Sequence, residues 1–367
     1  MSAAPEPDRI DGAPHPRETL KLFGQEAAER LFLDAFAQDR LHHGWLITGP
    51  RGVGKATLAW RLAKFLLATE PGGGLFGAPD TLDVDSEHPV AHRIAAGSEP
   101  GLLVIRRGAD EKTGKLKTQI TVDEVRKLRE FFGLSAAEGG RRVVIVDAAD
   151  EMNPNAANAL LKLLEEPPAG AMLFLVAHQP SRLLPTIRSR CRELRLNPLG
   201  TDNMARAMDQ AMGMVEDGEA LAELSGGSVG EAIRVANGGG LELYAEIVKI
   251  LSDLPQLSRP DVLKLSNSMG GREAEPRFDL TVRLIDLALA RLARAGATGM
   301  VPPEAARGEA RLIERLSPDP RAARHWAELA SELGARARGA RAVNLDPGAL
   351  VLDMFLRLES AAQAVPG

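Results

Sequence analysis

Trp45-Leu46-Ile47-Thr48-Gly49-Pro50-Arg51-Gly52-Val53-Gly54-Lys55-Ala56-Thr57 decides how the rest of this 367-residue chain is read. A short apolar strand, Trp45 to Thr48, feeds a glycine-rich turn, and an amphipathic helical pattern continues from Thr57 to Leu67. The order strand, loop, helix is what the phosphate-binding pattern G-x-x-x-x-G-K-[ST] requires. Its backbone N–H groups and helix N-terminus cradle phosphate oxygens, its lysine neutralises charge, and its final hydroxyl holds Mg²⁺. Gly49 to Lys55 keep the pattern and Ala56 breaks it, having no oxygen to offer a metal. Gly49, Pro50, Arg51, Gly52, Val53, Gly54, Lys55, Ala56 and Thr57 are therefore candidate nucleotide-binding residues of a degenerate site. The plainer alternative is a glycine-rich turn with no ligand.

Outward from this loop, Leu102 to Ile105, Val143 to Val146 and Met172 to Ala177 are short runs rich in Val, Ile and Leu, like fully buried parallel strands. Helical patterns lie between them, at Val122 to Phe132 and Pro154 to Glu166. The second has clear punctuation, with Asn153 as a cap, Pro154 in the first turn and Pro167-Pro168 as the stop. The fold class expected is α/β plus all-α, a parallel sheet with crossover helices followed by helices alone after Asn197-Pro198. A break at Gly238-Gly239-Gly240 then divides a small helical piece from a longer helical region. The divisions expected are a disordered Pro-rich lead at 1–19, the α/β domain at 20–197, a helical lid at 198–240 and a helical C-terminal domain at 241–367.

Composition narrows the setting. No apolar run reaches the roughly 18 residues of a membrane span, and the N-terminus has no apolar signal core. One cysteine, Cys191, excludes an internal disulfide framework and a cysteine-cluster zinc site, as fits a reducing cytoplasm. A net charge of −5 gives no global attraction to nucleic acid, so any DNA contact must come from a local face.

Val143-Val144-Ile145-Val146-Asp147 has the form of the strand whose carboxylate stands beside a phosphate loop, so Asp147 joins the candidate site as a group able to orient a hydrated Mg²⁺. Where an Asp-Glu pair works at this position, the second residue polarises the attacking water. Here it is Ala148. Asp150 and Glu151 follow in a turn expected to point them elsewhere.

The helix Asn158-Ala159-Leu160-Leu161-Lys162-Leu163-Leu164-Glu165-Glu166-Pro167-Pro168, the strand Leu173 to Ala177 and the triplet Ser189-Arg190-Cys191 occur here in one order and spacing. With Leu22-Phe23-Gly24-Gln25-Glu26, they make the chain resemble the bacterial sliding-clamp loader family of the AAA+ class. The resemblance is strong from about residue 20 to 240 and architectural beyond. It implies a RecA-like domain with its sheet, a lid and a collar-type oligomerisation domain. It also implies that Arg190, flanked by Ser189 and Cys191, is an arginine finger acting in trans on the nucleotide of a neighbouring subunit. Read without the family, Arg190 is a surface residue paired with a carboxylate such as Glu193, and Cys191 is a small buried hydrophobe.

The family's hydrolysing subunits carry Ser-Leu-Arg-Asp-Ala at the start of a lid helix, where the Arg senses the γ-phosphate. This chain has Ser228-Val229-Gly230-Glu231-Ala232, so Gly230 stands at the sensing position and Arg234 lies one turn on. With Ala56 and Ala148, the losses resemble the delta-prime type of DNA polymerase III subunit more than the gamma/tau motor. The resemblance implies a largely ATPase-inactive stator that helps place the sliding clamp on primed DNA. Its implied partners are gamma/tau-like ATPases and a delta-like clamp opener, with the clamp and DNA met through the complex and no membrane involved. ATP binding is permitted by Lys55 and the loop glycines, but hydrolysis is not expected. The alternative is a gamma/tau-like motor that hydrolyses ATP itself.

No zinc and no other metal is expected. The family's zinc module normally falls within 68–100, where there is no cysteine, and Pro89 disrupts the helical spacing that a His88 and His92 pair would use. Lys112, Lys115, Lys117, Arg126, Lys127 and Arg129 are candidate contacts to a phosphate backbone or, equally, ordinary solvated charge.

Overall fold

The computed structural model describes residues 6–69, 79–110, 113–133, 140–213, 217–270, 274–342 and 345–364. Lys112 and part of the 68–100 stretch lie outside the described residues. The chain divides into two compact units, Met1–Met214 with Gly227–Gly230, and Val215–Gly226 with Glu231–Gly367. The contacts do not set residues 198–240 apart as a unit of their own.

The first unit is a five-stranded parallel sheet. Its elements are α1 (Glu26–Ala37), β1 (Gly44–Thr48), α2 (Lys55–Ala68), α3 (Pro89–Ala95), β2 (Leu102–Arg106), α4 (Val122–Gly133), β3 (Arg142–Asp147), α5 (Pro154–Glu165), β4 (Ala171–Ala177), α6 (Pro185–Arg188), β5 (Arg192–Arg195) and α7 (Thr201–Met212). The strand order is β2-β3-β4-β1-β5, so β4 separates the strand feeding the phosphate loop from the one ending in Asp147. This is the parallel α/β sheet with crossover helices expected from the sequence. Strand alternation sends Trp45 and Phe174 to one face, where Phe32 of α1 packs with ring centroids 5.1 and 6.0 Å away. Leu46, Val144, Val146, Leu173 and Leu175 face the other way, into a core with Leu128 of α4 and Leu160 and Leu164 of α5. With both faces covered, the strands are continuous apolar runs, and β1 and β4 are buried at every position.

Two local expectations are corrected. Pro89 opens α3 rather than disrupting it: a missing N–H costs nothing in the first turn, and the His88 ring accepts from Val90 N. The lead at 1–19, expected to be disordered, is packed along its described part. Asp8 and His15 have side chains 1% and 0% exposed, 3.2 Å apart, and His15 sits edge-on to Trp60 of α2. Long-range charge pairing and ring contacts outweigh a composition that, taken locally, cannot bury apolar surface.

The second unit is all helical: α8 (Gly218–Ser225), most of α9 (Val229–Asn237), α10 (Gly240–Ser252), α11 (Arg259–Asn267), α12 (Ala274–Thr298), α13 (Glu309–Leu316), α14 (Pro320–Ala342) and α15 (Pro347–Ala364). Its interior holds Trp326, whose indole N–H donates to Leu316 O at 2.7 Å, and a buried polar knot. In that knot Glu309 accepts from Tyr244 at 2.5 Å, from Arg291 Nε at 2.6 Å and from the Ala305 N–H at 2.7 Å.

Candidate functional site

The phosphate loop links β1 to α2, and its shape rests on three glycines with positive φ: Gly49 at 138°, Gly52 at 75° and Gly54 at 98°. Gly54 caps α2, so Lys55 is the first helical residue and the loop N–H groups lie at a helix N-terminus. Lys55 is 3% exposed. Its ammonium donates to Gly49 O at 2.7 Å and to Pro50 O. Burial lowers its pKa to about 8, against the pull of Asp147 and Asp150. Ala56 and Thr57, the next two residues of α2, are half-buried.

Asp147 ends β3, in register with Arg106 at the end of β2. Burial, and next the charge of Asp8, push its pKa up to about 7. Ala148 is buried beside it and brings no base. The two acidic residues that follow are committed elsewhere. Asp150 accepts from the His178 and Gln179 N–H groups at 3.0 and 2.9 Å, closing the turn after β4. Glu151 pairs with Arg107 at 2.8 Å and Arg51 at 3.4 Å.

Gly230 is where sequence and packing meet most closely. Its N–H donates to Gly52 O at 3.0 Å, and Ser228 Oγ donates to Arg51 O at 2.8 Å. A Cβ at Gly230 would stand 2.9 Å from Gly52 Cα, so the backbone itself fills the place from which a sensing side chain would start. Within the second unit, Arg234 pairs with Glu231 at 3.4 Å.

A pH-dependent stability follows from Asp147. Its folded pKa is raised, so its stabilising contribution is complete below the unfolded value near 4 and is lost as pH rises through about 7. Asp147→Asn is therefore expected to gain stability relative to the parent chain between pH 5 and pH 8, on the order of a few kcal/mol. Denaturant midpoints at the two pH values check this. An equal difference at both contradicts it.

Arg190 follows α6 on the surface, away from the phosphate loop in sequence and 37% exposed. Its partner is Glu165 at the end of α5, at 2.9 Å, rather than Glu193, and it also donates to Thr186 O at 3.1 Å. Ser189 Oγ donates to the same carbonyl at 3.1 Å. Burial raises the Cys191 thiol to about 12, so it is an inert packing group. Among the described residues no group of three or more His, Cys, Asp or Glu could hold a metal ion, and no helix is long and apolar enough to cross a membrane.

Residues 24–200 match the family model described as DNA polymerase III, delta subunit. The chain is 40% identical over 215 residues to DNA polymerase III subunit delta′ of Pseudomonas aeruginosa, covering 56% of this chain and 60% of that one. It is 29% identical over 331 residues to subunit delta′ of Escherichia coli, covering 90% and 92%. It is also 30% identical over 207 residues to subunit gamma/tau of Mycobacterium tuberculosis, covering 55% and 33%. The match thus spans less than two thirds of the Pseudomonas relative's length and nearly all of the E. coli one. The parallel sheet, a phosphate loop without its hydroxyl and this set of relatives agree: the chain is similar to DNA polymerase III delta′ subunits, and to a lesser extent to gamma/tau subunits.

Proposed function

We propose that this chain is a largely ATPase-inactive stator of a clamp loader, which serves a neighbouring subunit's ATP site through Arg190 and helps place a sliding clamp on primed DNA. The observation that carries the reading is the contrast between the chain's own site and its surface arginine. Around the loop, Ala56 offers no metal ligand, Ala148 no base and Gly230 no sensor, and Asp150 and Glu151 are held by other partners. A metal-bound, water-activating phosphoryl transfer needs those groups together. Arg190 needs nothing from that site: a planar, permanently charged guanidinium on the surface can grip two phosphoryl oxygens of another subunit.

The division of labour is a mixed ring in which gamma/tau-like ATPases hydrolyse, a delta-like subunit opens the clamp and this chain braces them, in the cytoplasm. Lid and collar roles are proposed for 198–240 and 241–367. A groove of about 580 Å³ between α4 and α5, where Arg126, Arg129 and Lys162 outnumber Glu166, would suit a sequence-independent contact to DNA phosphates. The gamma/tau-like reading is favoured by retained Lys55 and Asp147 and by the gamma/tau relative. It leaves the three absent groups unexplained. Arg190→Ala in an assembled loader tests the proposal, by whether DNA-stimulated ATPase falls while assembly is preserved.

A further inference from the structure

Residues 6–22 do more than pack: they run across the phosphate loop and the carboxyl ends of β2 and β3. One anchor is ionic. Arg106, the last residue of β2, donates to Asp8 and to Glu6, each at 2.9 Å, and Asp8 in turn meets the fully buried ring of His15 at 3.2 Å. The other anchors are apolar, one on the loop glycine Gly54 and one on Gly230 beside the loop. A Cβ at Gly54 would collide with Leu22 Cδ1, and one at Gly230, which lies against Gly52, would meet Ile10 Cδ1 at 2.9 Å. Between these points the strap is held to α2, where Arg61 donates to Leu20 O at 2.6 Å.

Glycines in a phosphate loop let an anion's oxygens approach the backbone closely. Here Leu22 takes that approach at Gly54, Ile10 packs at Gly230 against the loop, and the acidic Asp8 acts on Asp147. We propose that residues 8–22 are a self-docking strap over a latent nucleotide site, and that the loop binds a nucleoside triphosphate when Asp8, Ile10 and Leu22 are released. The inference deepens, and rests on, the reading of the loop as a site that does not turn ATP over. It makes silence at this site an active contact as well as a set of losses.

A strap docked about 99% of the time weakens apparent affinity about 100-fold. Titration of the full chain with a fluorescent ATP analogue is therefore expected to give a dissociation constant about 100-fold tighter for Asp8→Ala/Ile10→Ser/Leu22→Ser than for the parent. Adding Lys55→Ala to that variant should abolish the gain, placing the ligand at the loop. Circular dichroism checks folding. If the triple variant does not fold, Leu22→Ala alone, which removes only the atoms over Gly54, is expected to tighten binding several-fold. Equal affinity of parent and folded variant, whether tight or undetectable, overturns the strap. Tight binding by the parent without turnover does so while leaving the stator reading intact, whereas Lys55-dependent turnover overturns that reading instead.

Discussion

In an assembled loader, Arg190→Ala is expected to lower ATP turnover at the neighbouring site by on the order of 10³ or more, the effect of removing an arginine finger. The chain's own fold should not change. Arg190 is part-exposed, and its pair with Glu165 at 2.9 Å joins two half-exposed side chains. Such a pair is worth about 0–1 kcal/mol, little enough for Arg190 to leave Glu165 for a phosphate without a large penalty. Arg190→Lys should recover little, because an ammonium on a flexible stem cannot hold two phosphoryl oxygens in one plane. Single-turnover ATPase on primed DNA, with assembly verified by size exclusion, measures the effect. An unchanged rate in an intact complex contradicts the assignment.

The largest stability effect is expected from Glu309→Ala in the helical unit. Glu309 is 2% exposed and Arg291 6% exposed, so removing the carboxylate takes the buried guanidinium's closest anionic partner and leaves it with only Glu223 at 2.9 Å and the Pro303 carbonyl. It also strands the Tyr244 hydroxyl and the Ala305 N–H that the carboxylate accepts from. Breaking a buried pair from one side costs about 3–5 kcal/mol, which for a unit of this size lowers the thermal midpoint by on the order of 10 °C. Removing the charge as well, in Glu309→Leu/Arg291→Met, should restore much of the loss because no buried ion is left short of a partner and Glu223, 32% exposed, can be solvated. A fall of less than about 2 °C in Glu309→Ala would show that Glu223 alone suffices to hold the Arg291 charge. Calorimetry of both variants separates the outcomes.

Legibility of the fold tracked how local its causes are. The phosphate loop, β1 to β4 in outline, and α5 with its Asn153 cap are fixed by short-range chemistry, and the structure places Asn153 Oδ1 2.9 Å from Ala156 N as the sequence indicates. β5 was not legible: Arg192-Glu193-Leu194-Arg195 is a four-residue edge strand with a single buried side chain, and charged edges carry no apolar run to read. The strap was not legible either. Four prolines and a scatter of charges before Arg17 read locally as solvated chain, and it takes Arg106, about a hundred positions away, to tie Glu6 and Asp8 to the sheet. For the candidate site, Ala56 and Ala148 could be read as missing groups. That Gly230 is filled by the backbone of Gly52, and that Arg190 rests on Glu165, required tertiary packing.

ATP turnover by the purified chain with Mg²⁺, beside Lys55→Ala, tests the central claim most directly. A stator without metal ligand, base or sensor should release phosphate at the rate of the protein-free blank, and Lys55→Ala should be indistinguishable from it. Steady turnover by the parent chain that Lys55→Ala abolishes would make this subunit a motor and contradict the claim.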